Sequence, residues 1–476
     1  MSIFKGNKVE KNLGGITKVQ KPILTFSKEI PADGYKIIIN NDIHIYYSTY
    51  NGKNFALEKL QSLQIENDSL NNMEIVDFPK YKYRGLMLDS GRYFYPKSDV
   101  IKIIDYMYDL RLNVLHLHLT EDQGWRIQID KYPLLTKVGS VRNSTNFSLK
   151  KHSGFYTKSD LLDIVNYAHE RGIIVIPELD IPGHMRAAIA AYPELACLPR
   201  KLPVAHWWGT KHDILCAGKD FVYTFLKDVI NEILEIFPDG YLHLGGDEAI
   251  KTRWKDCPNC QKLIKDNNLK DEDDLQTYFI NKIVREILKP RNVTPIIWAV
   301  GDMPENYDES IIFQWYGENE ISTKTKEVMK KHKIISSNSK YLYFDFPHSK
   351  NTLDECFNGD YSINLPNEPV GIEACLWTEY IKDMSILEKR AFPRLIAASL
   401  KMWGNEINHD EMISIVNEFY STHDSTNFTK ISKSNPKYFR KIKSIPWDYL
   451  RALHWEGLNI VIDNAIVHNK FKKLKK

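Results

Sequence analysis

Short apolar runs alternate with longer amphipathic stretches along most of the chain. "YRGLMLDS" (83–90) is followed by a helical pattern near 97–111. "NVLHLHLT" (113–120) leads through a long irregular loop to a helix near 158–171, and "GIIVIPELD" (172–180) to one near 219–236. "GYLHLGGDE" (240–248) precedes a helical stretch near 273–288. Then come "TPIIWA" (294–299), "SIIFQWY" (310–316), "HKIISSN" (332–338) and "GIEACLWT" (371–378), with a last helix over 386–402. Strands apolar on both faces belong in parallel sheets covered by helices. Eight such βα units close into a barrel, so the pattern predicts a (β/α)8 TIM barrel over residues 80–405.

Residues 1–79 follow another rhythm. "GYKIIINNDIHIYYST" reads as two alternating strands about an Asn-Asn turn, and "NFALEKLQSL" as an amphipathic helix. The expected class is therefore α/β, a barrel preceded by a small α+β domain. Residues 406–476 leave the βα rhythm and are expected to form a C-terminal extension of mixed helix and loop.

Composition narrows the picture. With 476 residues, 43% of them hydrophobic, the chain can bury a large core. A net charge of +3 gives no basic field of the kind nucleic-acid binders carry. No run of 18 apolar residues predicts a membrane span, and the N-terminus shows no apolar signal core. The expectation is a soluble chain, cytosolic as given or an exported mature form. The terminal "KFKKLKK" is expected to be a solvated, frayed tail. Six cysteines are too few for a disulfide scaffold. "CPNC" (257–260) has ligand spacing but no visible second half, which favours a turn with free or paired thiols over a zinc knuckle.

Barrel chemistry sits at the C-terminal ends of the strands. Strand one begins with Arg84 and ends near Asp89; strand two ends in His118, with Glu121, Asp122 and Trp125 following. Strand three ends in Glu178 and Asp180, then His184; strand four ends in Asp247 and Glu248. Trp298, Trp315, "YLYFD" with Tyr343 and Asp345, and Trp377 with Glu379 complete the rim. Taken singly, a strand-end Asp is a helix cap and a lone Trp is core. Recurring together, carboxylates and indoles fit a sugar, whose C–H faces pack on aromatic rings and whose hydroxyls donate to acids. A rival is a metal-dependent barrel hydrolase built on His116-x-His118, although the other histidines do not fall on enough strand ends to complete a ligand set. A second rival is a sugar-binding barrel without catalysis, which would lack an acid such as Glu248.

The blocks "YRGLMLDSGRYFYP", "NVLHLHLTEDQGWRIQIDKYPLLTKVGS", "IPELDIPGHMRAAIAAYPELAC", "HLGGDEA", "YLYFD", "LWTEYI" and "FPRLIAASLKMWG" resemble the β-N-acetylhexosaminidases of glycoside hydrolase family 20, over roughly residues 33–404. The resemblance implies an exo-acting, retaining enzyme. It would act on glycans or glycoconjugates ending in β-linked N-acetylglucosamine or N-acetylgalactosamine, without metal or organic cofactor. It implies Glu248 as general acid/base, Asp247 as orienter of the acetamido N–H, and Tyr343 as donor to the acetamido oxygen. Trp298, Trp315 and Trp377 would enclose the acetyl group, and Arg84, Asp345 and Glu379 would grip the outer hydroxyls. Glu121, Asp180 and His184 would steady the acid. In this family the substrate supplies the nucleophile, so Glu248 is expected to have a raised proton affinity and Asp247 to be an anion. Gly245 and Gly246 would bend the strand end and bring both acids to one pocket.

Leu117 and Glu121 depart from residues common in the family, Trp and Asp. The rim loop "PVAHWWGTKHD" (203–213) is expected to touch a second sugar. Linkage, preferred hexosamine and oligomeric state are not legible in the sequence.

Overall fold

The computed structural model describes residues 4, 9–66, 68–146, 148–423 and 426–429. Eight parallel strands close a barrel: Tyr83–Asp89, Val114–His118, Ile174–Glu178, Tyr241–His243, Thr294–Ala299, Ile312–Trp315, Ile334–Ser336 and Gly371–Leu376. Each lies inside its predicted run, and the eighth pairs with the first.

Side-chain alternation sorts every strand into an inner and an outer face. Val114, Ile176, Ile296, Ile312 and Ile335 form an apolar layer inside the lower barrel. Two residues further along, the interior turns polar: His116, Glu178, Gln314 and Glu373 are all buried there. Glu373 accepts from Tyr83, His116 and Gln314. The next layer is aromatic, with Trp298 packed by Tyr316, Tyr343 and Trp377. Apolar, then polar, then aromatic, the layers fill the barrel up to its C-terminal end.

Helices cover the outside. Lys97–Asp109 buries Val100, Ile103, Ile104 and Met107, and Asp220–Ile236 buries Val222, Phe225, Val229 and Ile233. The helix predicted over 386–402 is two helices, Met384–Ala391 and Arg394–Trp403. Pro393 lacks the N–H that a continuous helix needs there.

The N-terminal part is a five-stranded sheet in the order Val9–Lys18, Ser69–Asp77, Tyr35–Asn40, Asp42–Tyr47, Ile23–Phe26. The predicted hairpin is its centre, turning at Asn41 with φ 62°. The helix Tyr50–Ser62 is capped by Thr49, whose hydroxyl accepts from Gly52 N at 3.0 Å. Of the other three strands, Val9–Lys18 is mostly exposed, Ile23–Phe26 has four residues, and Ser69–Asp77 mixes polar and apolar residues without a clean alternation. Beyond the barrel, Asn408 caps a helix over His409–Thr422. Most of the expected extension, including the lysine tail, lies outside the described residues.

Candidate active site

The fourth strand ends in a turn that only glycine permits. Gly245 has φ +62°, and a Cβ there would lie 1.8 Å from Asp180 Oδ1. Gly246, at φ +95°, donates its N–H to the same oxygen at 3.2 Å. Glu248 follows with a left-handed φ of 47°. The turn brings both acids to one place: carboxylate oxygens of Asp247 and Glu248 and a ring nitrogen of His184 lie within 4.8 Å of one another.

His184 joins two layers of the site. Its Nε2 is 3.6 Å from Glu248 Oε2, and its Nδ1 is 3.1 Å from Glu121. Glu121 in turn accepts from Arg92 Nη2 at 2.7 Å. Although burial opposes it, Glu121 and Asp180 hold His184 protonated, well above the usual histidine range. Against its own burial, Arg92 and His184 keep the Glu121 carboxyl well below the ordinary range. Asp180 is pushed well up by burial and by the charge of Asp247.

Four rings form a box beside these acids. Trp298 and Trp377 have centroids 5.5 Å apart, Trp298 and Tyr316 5.9 Å, and Tyr343 and Trp377 6.2 Å. Trp298 is fixed by donating Nε1 to Glu178 Oε1 at 2.7 Å. Arg92 lies over the Trp377 ring at 4.9 Å and pairs with Asp89 at 2.9 Å and Glu379 at 3.2 Å. Asp89 also accepts the N–H of Thr378, tying the ends of strands one and eight together. Burial, with the charge of Glu379, pushes Asp345 up to about 7. Burial likewise raises Glu379, opposed by Arg92.

The chain that carries these rings and acids folds like solved proteins. A crystal structure of a β-N-acetylhexosaminidase superposes with a TM-score of 0.79 at 28% identity, covering 92% of this chain and 99% of that one. The model of glycosyl hydrolase family 20, catalytic domain, matches residues 81–406. The chain belongs to glycoside hydrolase family 20. A β-hexosaminidase of Porphyromonas gingivalis is 40% identical over 369 residues, 72% of this chain and 47% of that protein. One from Akkermansia muciniphila is 32% identical over 403 residues, 80% of this chain and 82% of that protein. The chain thus spans about half the length of the first and most of the second.

In this family 20 domain the structure brings together Glu248, Asp247, Tyr343, Trp298, Trp377, Asp345, Glu379, Glu121, Asp180 and His184. It overturns two assignments. Arg84 starts strand one at the opposite end of the barrel, 1% exposed, and pairs at 2.7 Å with Asp33, in the turn before the N-terminal strand Tyr35–Asn40. The guanidinium at the rim is Arg92, in the same "YRGLMLDSGRYFYP" block. Trp315 points outward into the core beneath the helices, because alternation puts Ile312, Gln314 and Tyr316 inside. Tyr316 is the aromatic that joins the box. Counting strand parity finds both Tyr316 and the misplacement of Trp315.

The metal-hydrolase rival finds a different use for its histidines. His116, His118 and His243 converge on Glu178, at 3.1, 2.5 and 3.2 Å. His243, on strand four, was overlooked in the sequence. All four residues are at most 1% exposed, and Trp298 occupies a Glu178 oxygen as well. The cluster is a buried support under the aromatic box with no open position for substrate.

The charge balance of the two acids also differs from expectation. Burial pushes half-buried Asp247 up to about 6, with Glu248 and Glu178 adding and His184 opposing. Glu248 has its side chain 53% exposed, and the His184 ring nitrogen 3.6 Å away lowers its pKa. The residue assigned as acid is thus the better ionised of the pair, because water still reaches it and a cation stands beside it.

Trp207 and Trp208 of the rim loop are held by protein contacts. Gln123 donates to the Trp207 carbonyl at 2.8 Å, and the Trp208 ring packs on Tyr93 at 5.6 Å. Tyr93 adjoins Arg92 in sequence, so the loop braces the rim.

Proposed function

We propose that this chain removes terminal β-linked N-acetylhexosamine from glycans, with the substrate's own acetamido group as nucleophile. The observation that carries the reading is the pair Asp247 and Glu248, unlike in exposure, meeting at one edge of the four-ring box. The acetamido oxygen attacks C1, the bond from C1 to the leaving oxygen breaks, and Glu248 gives that oxygen its proton. A five-membered oxazolinium forms, and Asp247 stands beside its positively charged N–H. Tyr343 donates to the acetamido oxygen and orients it; Trp298, Tyr316 and Trp377 shield the acetyl group from water. Arg92, Asp345 and Glu379 hydrogen-bond the outer hydroxyls. Water then adds to C1 while Glu248 takes a proton, which reopens the ring with retained configuration. A sugar seated over Glu248 strips its water and raises its proton affinity, the direction an acid needs.

The names of the family 20 relatives support this reading. The test follows an aryl β-N-acetylglucosaminide by NMR during turnover. The β-anomer is expected to appear first, and a thiazoline mimic of the cyclised sugar to inhibit. Initial release of the α-anomer, or equal cleavage of a glucoside lacking the amide, overturns the mechanism.

A further inference from the structure

The two cysteines of "CPNC" are not alone. Cys197 and Cys216, from the long loop after strand three, lie against Cys257 and Cys260. Their Sγ atoms are separated by 3.8 Å (197–260), 3.7 Å (216–257) and 3.6 Å (216–260). All four sulfurs lie within 4.8 Å of one another, all four residues are buried, and none is in a disulfide. A zinc ion bound by thiolates at about 2.3 Å places its ligand sulfurs ~3.8 Å apart on the edges of a tetrahedron. The observed spacings match that edge. We propose that Cys197, Cys216, Cys257 and Cys260 form a structural tetrathiolate site for a single zinc ion.

The backbone around the cluster is arranged to bring the sulfurs together. Cys216 N donates to Leu195 O at 2.9 Å, and Ala196 bridges Leu215, which sets the two loop cysteines side by side. Trp254 Nε1 holds the Leu215 carbonyl at 2.9 Å, joining that loop to the segment leading into "CPNC". Gly218 is needed for the approach: a Cβ there would lie 2.3 Å from the Asn259 carbonyl carbon and 2.6 Å from Cys260 N. Four thiolates around one divalent cation leave a net negative charge, which requires compensation in a buried site. Cys257 caps the helix Pro258–Asp266, so that helix's N-terminal N–H groups and positive end face the cluster. Lys219 anchors on the carbonyls of Glu194 and Ala196, next to Cys197.

The site has a mechanical consequence. It clamps the loop that begins near His184 to the helices that follow Glu248. A second clamp lies nearby: Asp213 accepts from Arg186 at 3.1 Å and Arg200 at 2.8 Å, with Arg253 at 3.4 Å. Zinc would thus fix the segments on both sides of the His184–Glu248 contact without touching substrate.

The full chain, purified without added metal or chelator, is measured for metal content and for thiols. About one zinc per chain is expected, released as a mercurial reagent binds the four cluster thiolates. Replacement by Co(II) is expected to give the intense visible bands of a tetrahedral thiolate complex. Cys257→Ser/Cys260→Ser is expected to lose the metal, and Cys356→Ser to keep it. If the double variant fails to fold, wild-type metal content and the cobalt spectrum still decide. Metal-free protein in which all six cysteines titrate as free thiols overturns the proposal, and so does intact mass showing the loss of two or four hydrogens to disulfides. Because the readout is metal rather than turnover, failure here leaves the hydrolase reading intact, and the reverse also holds.

Discussion

At the residue scale, the site depends on which cations stand beside which acids. Arg92 serves three carboxylates and one indole, so its loss leaves Glu121 without its main partner and, in the proposed mechanism, removes a contact to the sugar. Hydrogen bonds to charged groups contribute about 1.5–3 kcal/mol each. Arg92→Ala is therefore expected to lower kcat/KM by roughly a hundredfold or more, and Arg92→Lys, without the planar fork, to restore little of it. Steady-state kinetics with the aryl glycoside decide; near-normal turnover in Arg92→Ala would exclude the assignment. The ionisation of the acids gives a second prediction. The proposed mechanism needs Asp247 charged and Glu248 protonated, while the free protein holds Asp247 near 6 and Glu248 below its ordinary value. One proton is shared by the pair, and kcat/KM is expected to fall as pH rises above about 6, where that proton leaves. Asp247→Asn should slow good and poor leaving groups alike and shift that alkaline limb downward. Stability falls in the same direction. The Asp247 pKa is raised from 3.8 unfolded to about 6 folded, so its contribution is present below 3.8 and lost as pH passes through 6. Asp247→Asn is expected to melt higher than the parent above pH 6, with the gap closing as pH falls toward 4. The sequence located these acids through the HLGGDE block, but their charge states depend on water access and on His184, which no local pattern records.

At the element scale, strands were legible because burial on both faces writes a continuous apolar run, and all eight emerged. Phase was the weaker inference. In "SIIFQWY" every position is apolar or aromatic except Ser310 and Gln314, so composition does not say which side faces the sugar. The structure answers through Gln314, which donates to Glu373 inside the barrel and carries Tyr316 inward with it. Trp315, by the same alternation, belongs to the layer under the helices. The two neighbours are expected to separate cleanly. Tyr316→Ala should raise KM for the aryl glycoside about tenfold, since a well-placed aromatic contact is worth about 0.5–1.5 kcal/mol beyond its area. Trp315→Ala should leave KM unchanged and cost about 3–5 kcal/mol of stability in denaturant unfolding. A KM effect from Trp315 and none from Tyr316 would reverse the phase assigned here. The thiol cluster was missed for a related reason. Its second pair, Cys197 and Cys216, sits in a loop with no C-x-x-C spacing, and only the folded path of that loop supplies the other half.

At the scale of the whole molecule, the residue misread as a sugar clamp is what joins the two parts. Arg84 leaves the bottom of the barrel, pairs with Asp33 at 2.7 Å and lies over Trp403 at 5.3 Å. Arg111 and Trp403 reach Asp77 at 3.3 and 3.1 Å, so one seam draws on the first barrel strand, its loop, the last barrel helix and the N-terminal sheet. Burial lowers the Arg84 pKa, opposed by Asp33, and the backbone carbonyls of Arg111 and Tyr81 take its other N–H groups. An arginine with a carboxylate partner far away in sequence looks the same, in a list of residues, as an arginine waiting for a substrate. Only the direction of the strand separates them, since the N-terminal end of a barrel strand serves stability and the C-terminal end serves chemistry. Removing one partner of a buried ion pair costs about 3–5 kcal/mol, because the other charge is left uncompensated. Arg84→Ala is therefore expected to lose stability of that order while keeping kcat/KM within about twofold at a temperature where it is folded. Arg84→Ala combined with Asp33→Asn should recover part of the loss, since no lone charge then remains in the seam. A double-mutant cycle in denaturant, read beside aryl glycoside kinetics, tests both halves. A selective fall in kcat/KM for Arg84→Ala, with unfolding unchanged, would return this arginine to the active site and refute the seam.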